Sequence, residues 1–159
     1  MLNKVESLIH HYLPIVVFSL PMFLWMSLLT PTNHVWASEV GDLKVTVTGV
    51  RTNSGQIVLG LHLNESGFPD KPAKVYTCLI EENVCEIVLK ELSYGEYALA
   101  LYHDENNNSS LDHGFLGLIH KEGFGVSNNK RRRFSPPRYQ DAKFDFVRGV
   151  ETIAIALHY

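Results

Sequence analysis

The chain has 159 residues, room for one ordinary domain, and its apolar content of 45% is typical of a globular protein. Its 14 basic and 17 acidic residues give a net charge of −3. This composition excludes the strongly basic character that draws proteins to nucleic acid or to anionic membrane surfaces.

The first 37 residues are predicted to be an export signal. A lysine precedes an apolar run from Leu13 to Leu29, and Ala37 offers a small residue at a plausible cleavage point. The run is also about as long as a membrane-spanning helix, which needs roughly 17–25 residues. An uncleaved membrane anchor is therefore the alternative, although Pro14 and Pro21 weaken a spanning helix. In both cases residues 38–159 are predicted to form one exported domain, periplasmic or extracellular.

Short segments of alternating apolar and polar residues fill this domain, a pattern typical of half-buried β-strands. The first two segments, joined by the turn Thr52–Gly55, are predicted to form a hairpin. No helix is predicted after Ala37. Seven short strands favour an all-β fold, a single antiparallel β-sandwich. They are predicted at about 42–50, 56–63, 75–80, 85–89, 97–102, 142–147 and 152–158.

The two cysteines of the chain, Cys78 and Cys85, flank a segment with Glu82-Asn83 at its polar centre. The segment has the pattern of a hairpin tip, which would bring the sulfur atoms together. An even number of cysteines in an exported chain favours a disulfide. We therefore predict a stabilising Cys78–Cys85 disulfide and no redox role.

A dense polar loop follows the predicted fifth strand. Oxygen-bearing side chains at alternate positions of a loop are typical of calcium sites. The sequence therefore predicts a calcium site. Its affinity should be weak, because only two of the ligands are carboxylates and Phe115 occupies the position where a bidentate carboxylate is usual. An asparagine-rich turn that caps its own backbone is the alternative. The predicted ligands are Asp104, Asn106, Asn108, Ser110 and Asp112.

Ionisable residues beside this loop permit a second hypothesis. His103, Asp104 and Glu122 could act as acid–base groups of a hydrolase directed at cell-envelope or carbohydrate material. A zinc site would require two histidines to converge with Asp104 or Glu122, and the candidates are His103, His113 and His120. No nucleophile, phosphate-binding or metalloprotease motif is present. A non-enzymatic protein is favoured, and calcium is the one cofactor predicted.

A basic run, Lys130–Arg133, lies in a predicted long loop. Arg131, Arg132 and Arg133 are predicted to contact a cell-envelope glycan or an acidic partner. Nucleic acid is excluded as a partner outside the cell. A solvated loop without a partner is the alternative.

Several stretches together resemble the bacterial family of exported small proteins known as the domain of unknown function 2141. The stretches are Leu92–Ala98, Tyr102–Asn106, Glu122–Asn129, Phe134–Pro137 and Asp141–Phe144. The resemblance implies a sandwich similar to transthyretin-like and immunoglobulin-like domains, and it implies no activity.

Two features depart from the family pattern. Members often have Asn-Gly where this chain has Asn108-Ser109, and the basic run Lys130–Arg133 is heavier than usual. Serine lacks the conformational freedom of glycine at positive φ, so this substitution disfavours a tight metal-binding turn. The sequence as a whole predicts an exported, non-enzymatic sandwich that binds a ligand or partner through its end loops.

Overall fold

Eight strands and two short helical turns make up the part of the chain that the computed structural model describes, residues 39–112, 121–130, 132 and 135–159. The strands are β1 (Val40–Thr48), β2 (Gln56–His62), β3 (Lys74–Leu79), β4 (Cys85–Ser93), β5 (Gly95–Asp104), β6 (Phe124–Val126), β7 (Phe144–Phe146) and β8 (Thr152–Ala156). The helical turns are a 3-10 turn (Ser127–Asn129) and α1 (Tyr139–Ala142).

The strands form two sheets that pack face to face. The three-stranded sheet has the order β4-β1-β8. The larger sheet has the order β3-β2-β5-β6, and β7 also pairs with β5. Alternate residues of each strand point inward, so Leu43, Val45 and Val47 of β1 meet Ile57 and Leu59 of β2 in one apolar core. The predicted all-β sandwich is confirmed.

The predicted first hairpin is wrong. Strand β1 pairs with β4 and β8, whereas β2 pairs with β3 and β5 in the other sheet. The segment between β1 and β2 therefore crosses from one sheet to the other, with positive φ at Gly49 (77°) and Gly55 (80°). Alternation shows which residues face the core, but it does not show which strands are neighbours.

The expectation of an entirely antiparallel sandwich also needs correction. Strands β1 and β8 are parallel, with Lys44 opposite Thr152 and Thr48 opposite Ala156. The two strands are far apart in the sequence, so no tight turn has to join them. The chain can therefore enter the sheet at β8 in either direction.

The prediction of no helix is also wrong at one place, α1. The helix has four residues, and the side chain of Arg138 pairs with that of Asp141 at 2.9 Å. It buries Tyr139 and Ala142 on the outer face of the larger sheet. A single turn of this length has no periodic sequence signal. No helix in the described parts of the chain is long and apolar enough to cross a membrane.

Candidate functional site

The loop that follows β5 begins at a carboxylate that is completely buried. Asp104 has no exposed surface. Its Oδ1 accepts the backbone N–H of Asn108, and its Oδ2 accepts that of Ser109, both at 2.9 Å. The side-chain amide of Gln56 donates to Oδ2 at 3.3 Å. The carboxylate thus folds the next five residues back over the end of β5 through charge-assisted hydrogen bonds.

Two asparagines continue the same arrangement. The Oδ1 atom of Asn106 accepts the backbone N–H of Asn108 at 3.0 Å, and the Oδ1 atom of Asn108 accepts that of Ser110 at 2.8 Å. Such side-chain bonds to a backbone two residues ahead shape a turn. Asn107 and Ser109 adopt φ of 57° and 60°. Serine therefore holds the left-handed conformation for which the family pattern supplies glycine.

Asp112 closes the loop from its far end. Its Oδ2 accepts the side-chain N–H of Asn106 at 2.9 Å, and its Oδ1 accepts that of Asn108 at 3.2 Å. The structure thus brings together the side chains of four of the five predicted calcium ligands. Ser110 takes part through its backbone N–H. Among the residues that the structure describes, no three His, Cys, Asp or Glu side chains gather as a metal site.

Glu122 ties this loop to the strand that follows it. The side chain is buried, with 4% of its surface exposed. Its Oε1 accepts the backbone N–H of Glu105, and its Oε2 accepts that of Asp112, both at 2.9 Å. The backbone N–H of Lys121 donates to the carbonyl of Asp112 at 3.0 Å. Glu122 therefore acts on backbone donors at both ends of the loop.

His103 is buried under the same loop. Its Nε2 lies 2.8 Å from the carbonyl oxygen of Ser54, and its Nδ1 lies 2.7 Å from the hydroxyl of Tyr159. A carbonyl can only accept, so Nε2 carries a hydrogen, and in the neutral ring Nδ1 then accepts from the tyrosine. Both ring nitrogens are used in packing the end of the sandwich.

This geometry gives the hydrolase hypothesis no support. His103, Asp104 and Glu122 lie near one another, as predicted, but at most 4% of each is exposed. The hydrogen bonds of the two carboxylates go mainly to backbone N–H groups. A general acid or base must reach the substrate proton directly or through one water molecule. His113 and His120 lie outside the described residues, and the zinc alternative requires at least one of them.

A cluster that the sequence analysis missed braces the loop from outside. Arg51 forms a two-fold ion pair with Glu105, with Nε–Oε1 at 2.7 Å and Nη2–Oε2 at 2.9 Å. The guanidinium also lies 4.3 Å from the ring centroid of Tyr159 and donates to the carbonyl of Lys121. The bond to Glu105 raises the pKa of Arg51. These residues are far apart in sequence, so no local motif indicates the cluster.

The paired cysteines lie at the same end of the sandwich as the loop, because Gln56 of β2 pairs with both Leu79 and Asp104. Cys78 and Cys85 are at disulfide-bonding distance, with Cα atoms 6.1 Å apart, at the hairpin between β3 and β4. The turn has positive φ at Glu82 (50°) and Asn83 (62°), as expected of the polar tip that the sequence predicts. An antiparallel backbone bridge between Glu81 and Val84 closes this turn.

Only part of the predicted basic surface is described. Arg132 is exposed, whereas Arg131 and Arg133 lie outside the described residues. The pKa of Asp141 is lowered, chiefly by its hydrogen bond with Arg138 and to a smaller extent by the charges of Arg132 and Lys130. Contact of this run with an acidic partner or a glycan stays a prediction.

Comparison with known protein families shows to which family this chain is related. A family model described as "Uncharacterized protein conserved in bacteria (DUF2141)" matches residues 45–154. The chain belongs to this family. The match begins within β1 and ends within β8, so the DUF2141 region includes the whole 104–112 loop and Glu122. Comparison with curated proteins and with solved structures gives no match.

Proposed function

We propose that this DUF2141 protein is an exported, non-enzymatic binding domain that presents the 104–112 loop to a hydroxyl-rich ligand of the cell envelope. One observation carries the proposal. The buried polar side chains beneath the loop bind the backbone of the loop itself, so they fix its shape and are not left available for chemistry. The function that this arrangement supports best is recognition by a rigid loop.

The outer surface of the loop has the chemistry that recognition of a glycan needs. Residues 106–110 are exposed and consist of three asparagines and two serines. Amides and hydroxyls both donate and accept hydrogen bonds, as sugar hydroxyls do. None of the five side chains is charged, which favours a neutral glycan over an acidic partner. A loop that is already ordered loses little conformational entropy on binding.

Retention of the full chain on insoluble peptidoglycan tests this proposal. Asn107→Asp adds a charge to the exposed surface, and aspartate tolerates the positive φ of this position. We expect retention to fall about tenfold, a change of about 1.4 kcal/mol. Gln140→Glu, an exposed amide-to-acid change on α1, should leave retention unchanged. Absence of retention, or equal loss in both variants, would contradict the proposal.

Weak calcium binding by the same loop is a second candidate function. The Oδ1 atoms of Asp104 and Asn106 lie within 3.0 Å of one nitrogen atom, the backbone N of Asn108, so two candidate ligands already converge. Asp112 brings the second carboxylate to this turn. A cation would replace the two amide donors on Asp112. Extracellular calcium modules bind calcium with roughly millimolar affinity, and we expect an affinity in that range for a site with two carboxylates.

Thermal melting of the full chain with calcium and with magnesium tests this second candidate. Calcium at roughly several millimolar should raise the Tm, because a ligand that binds only the folded state stabilises that state. Magnesium demands a stricter octahedral geometry and should raise the Tm less. Asp112→Asn should abolish the calcium effect, whereas Asp145→Asn, an exposed change in β7, should preserve it. An unchanged Tm at about 10 mM calcium would exclude the site.

A further inference from the structure

In the part of the chain that the structure describes, one lateral side of the sandwich is open, between β3 and β4. The two strands leave the hairpin at the paired cysteines and join different sheets, β3 beside β2 and β4 beside β1. Within the described residues neither strand has a second ladder partner. Each is therefore an edge strand, with a row of backbone N–H and C=O groups directed away from its sheet. We call this opening the β3–β4 seam.

The opposite side of the sandwich is closed by specific contacts. The side-chain amide of Asn129 donates to the carbonyl of Ala154 at 3.1 Å and accepts the backbone N–H of Ala156 at 2.8 Å, along the outer edge of β8. Phe124 and His158 exchange two backbone hydrogen bonds, at 2.8 and 2.9 Å. Among the described residues, the fold thus covers one lateral edge and leaves the other uncovered.

A groove of about 280 Å³ lies in the β3–β4 seam. Side chains of both sheets reach it, and Leu63 at its margin is 56% exposed. Along β3 itself, Val75 and Leu79 are 58% and 76% exposed. These two residues alternate with Tyr76, which lines the groove, so they lie on the outer face of β3. An apolar groove beside an unpaired edge strand is the kind of site that extended peptides bind. The apolar and aromatic lining residues are Leu61, Leu63, Ala73, Tyr76, Leu92 and Tyr97.

The charges at the groove indicate what would bind there. Lys74 and Lys90 line it, one from each edge strand, and neither forms an ion pair within the part of the chain that the structure describes. Glu91 is the one acidic residue among the described residues of the lining. Its backbone N–H is held by Asp42, at 2.9 Å, where the pairing of β4 with β1 is irregular. The net positive charge of the rim complements an acidic ligand.

We propose that the β3–β4 seam binds an extended, acidic peptide segment of a partner protein. The segment would add to β3 as a further strand, with main-chain hydrogen bonds providing affinity. Alternate side chains of a strand point to the same face. Apolar side chains of the segment would therefore enter the groove, and acidic side chains would reach Lys74 and Lys90. This site is separate from the 104–112 loop, so its test does not depend on the glycan proposal.

A labelled peptide provides the probe. The peptide has seven residues and is acetylated at its N-terminus. Its first and last residues are glutamate, and the five residues between them alternate valine and threonine. One matched control peptide carries lysine in place of both glutamates, and another carries proline at its centre, which removes a backbone donor. Fluorescence anisotropy with the full chain should show saturable binding of the acidic peptide below about 1 mM. Both control peptides should bind at least about tenfold more weakly.

Variants of the chain assign the binding to the seam. The double variant Lys74→Glu/Lys90→Glu should weaken binding of the acidic peptide about tenfold or more, and Leu63→Ser should also weaken it. Lys121→Glu, at the other end of the sandwich, should bind as the unchanged chain does. Urea unfolding midpoints equal to that of the unchanged chain establish that each variant folds.

Three results would overturn the proposal. The first is no binding at 1 mM, roughly the weakest affinity that the proposal allows. The second is equal binding of the acidic and the lysine-bearing peptides, or an unchanged affinity in the double variant. The third is self-association of the chain, detected by sedimentation, that the double variant abolishes while the peptide fails to bind. That result would assign the seam to a second copy of this chain.

Discussion

The Oε2 atom of Glu122 accepts the backbone N–H of Asp112 at 2.9 Å, while its Oε1 accepts that of Glu105 at the same distance. One buried carboxylate therefore satisfies two backbone donors that lie seven residues apart. Its negative charge strengthens both bonds, because charge-assisted hydrogen bonds are roughly twice as strong as neutral ones. The shape of the 104–112 loop depends on this contact as much as on the side chains of the loop.

Replacing Glu122 by glutamine should destabilise the fold almost as much as replacing it by alanine. A carboxamide has one acceptor oxygen, so its NH2 group would face one of the two backbone donors. A buried donor without a partner costs about 1–3 kcal/mol. Urea unfolding should give a loss in this range for both variants. Glu151→Gln, an exposed change, is the control, and a Glu122→Gln variant as stable as the unchanged chain would contradict the role assigned to the carboxylate.

Sequence alternation was sufficient to predict the core, since Leu43, Val45 and Val47 are completely buried as expected. It could not predict the pairing of β1 with β8, which depends on contacts between distant segments. The same limit applies to the site. Asp104 and Glu122 attract attention as acidic residues, but a sequence does not show that backbone N–H groups are their main partners. Because Asp104 and Glu122 are buried, these residues, predicted as a metal ligand and an acid, have structural roles instead.

The side chain of Asn129 takes the place of a neighbouring strand along β8. Asn129→Asp keeps the acceptor for Ala156 N–H but places a carboxylate against the carbonyl of Ala154, and Asn129→Ala leaves both groups without this partner. We expect each variant to lose about 1–3 kcal/mol of unfolding free energy. Because the edge of β8 becomes available for pairing with other chains, both should also aggregate more readily on heating.

Urea unfolding and light scattering measure these two effects. Gln140→Ala removes an exposed amide of α1 for which the described residues show no side-chain hydrogen bond, and it serves as the matched control. Equal stability and equal scattering in the variants at Asn129 and at Gln140 would show that β8 needs no cover on this edge.

The Cys78–Cys85 pair should add a modest stabilisation. The cysteines are separated by seven positions, and the entropy that a crosslink removes from the unfolded chain is small for so short a loop, about 2 kcal/mol. The double variant Cys78→Ala/Cys85→Ala should fold, with an unfolding free energy lower by about this amount. Alkylation under non-reducing conditions, read by mass spectrometry, should modify no thiol of the protein. Two modified thiols without reductant would show that the disulfide does not form.

His62 should make stability depend on pH. It is 1% exposed, its ring lies 4.8 Å from that of Phe68, and its Nε2 has no hydrogen-bond partner among the described residues. Burial lowers the pKa of His62, and the backbone of Pro69 and the charge of Asp70 oppose this only in part. The unfolded state therefore binds the proton more tightly than the folded state. Stability is full above the unfolded pKa of about 6.5 and falls as the pH drops below it.

Urea unfolding at several pH values between about 5 and 8 measures this dependence, because the window contains the unfolded histidine pKa. His62→Gln removes the titrating ring, so its unfolding free energy should fall less between neutral and acidic pH than that of the unchanged chain. His158→Gln removes an exposed histidine and should leave the slope as it is. Identical slopes in the His62 variant and the unchanged chain would mean that another group sets the acid sensitivity. In that case the desolvation of His62 does not differ enough between the folded and unfolded states to matter.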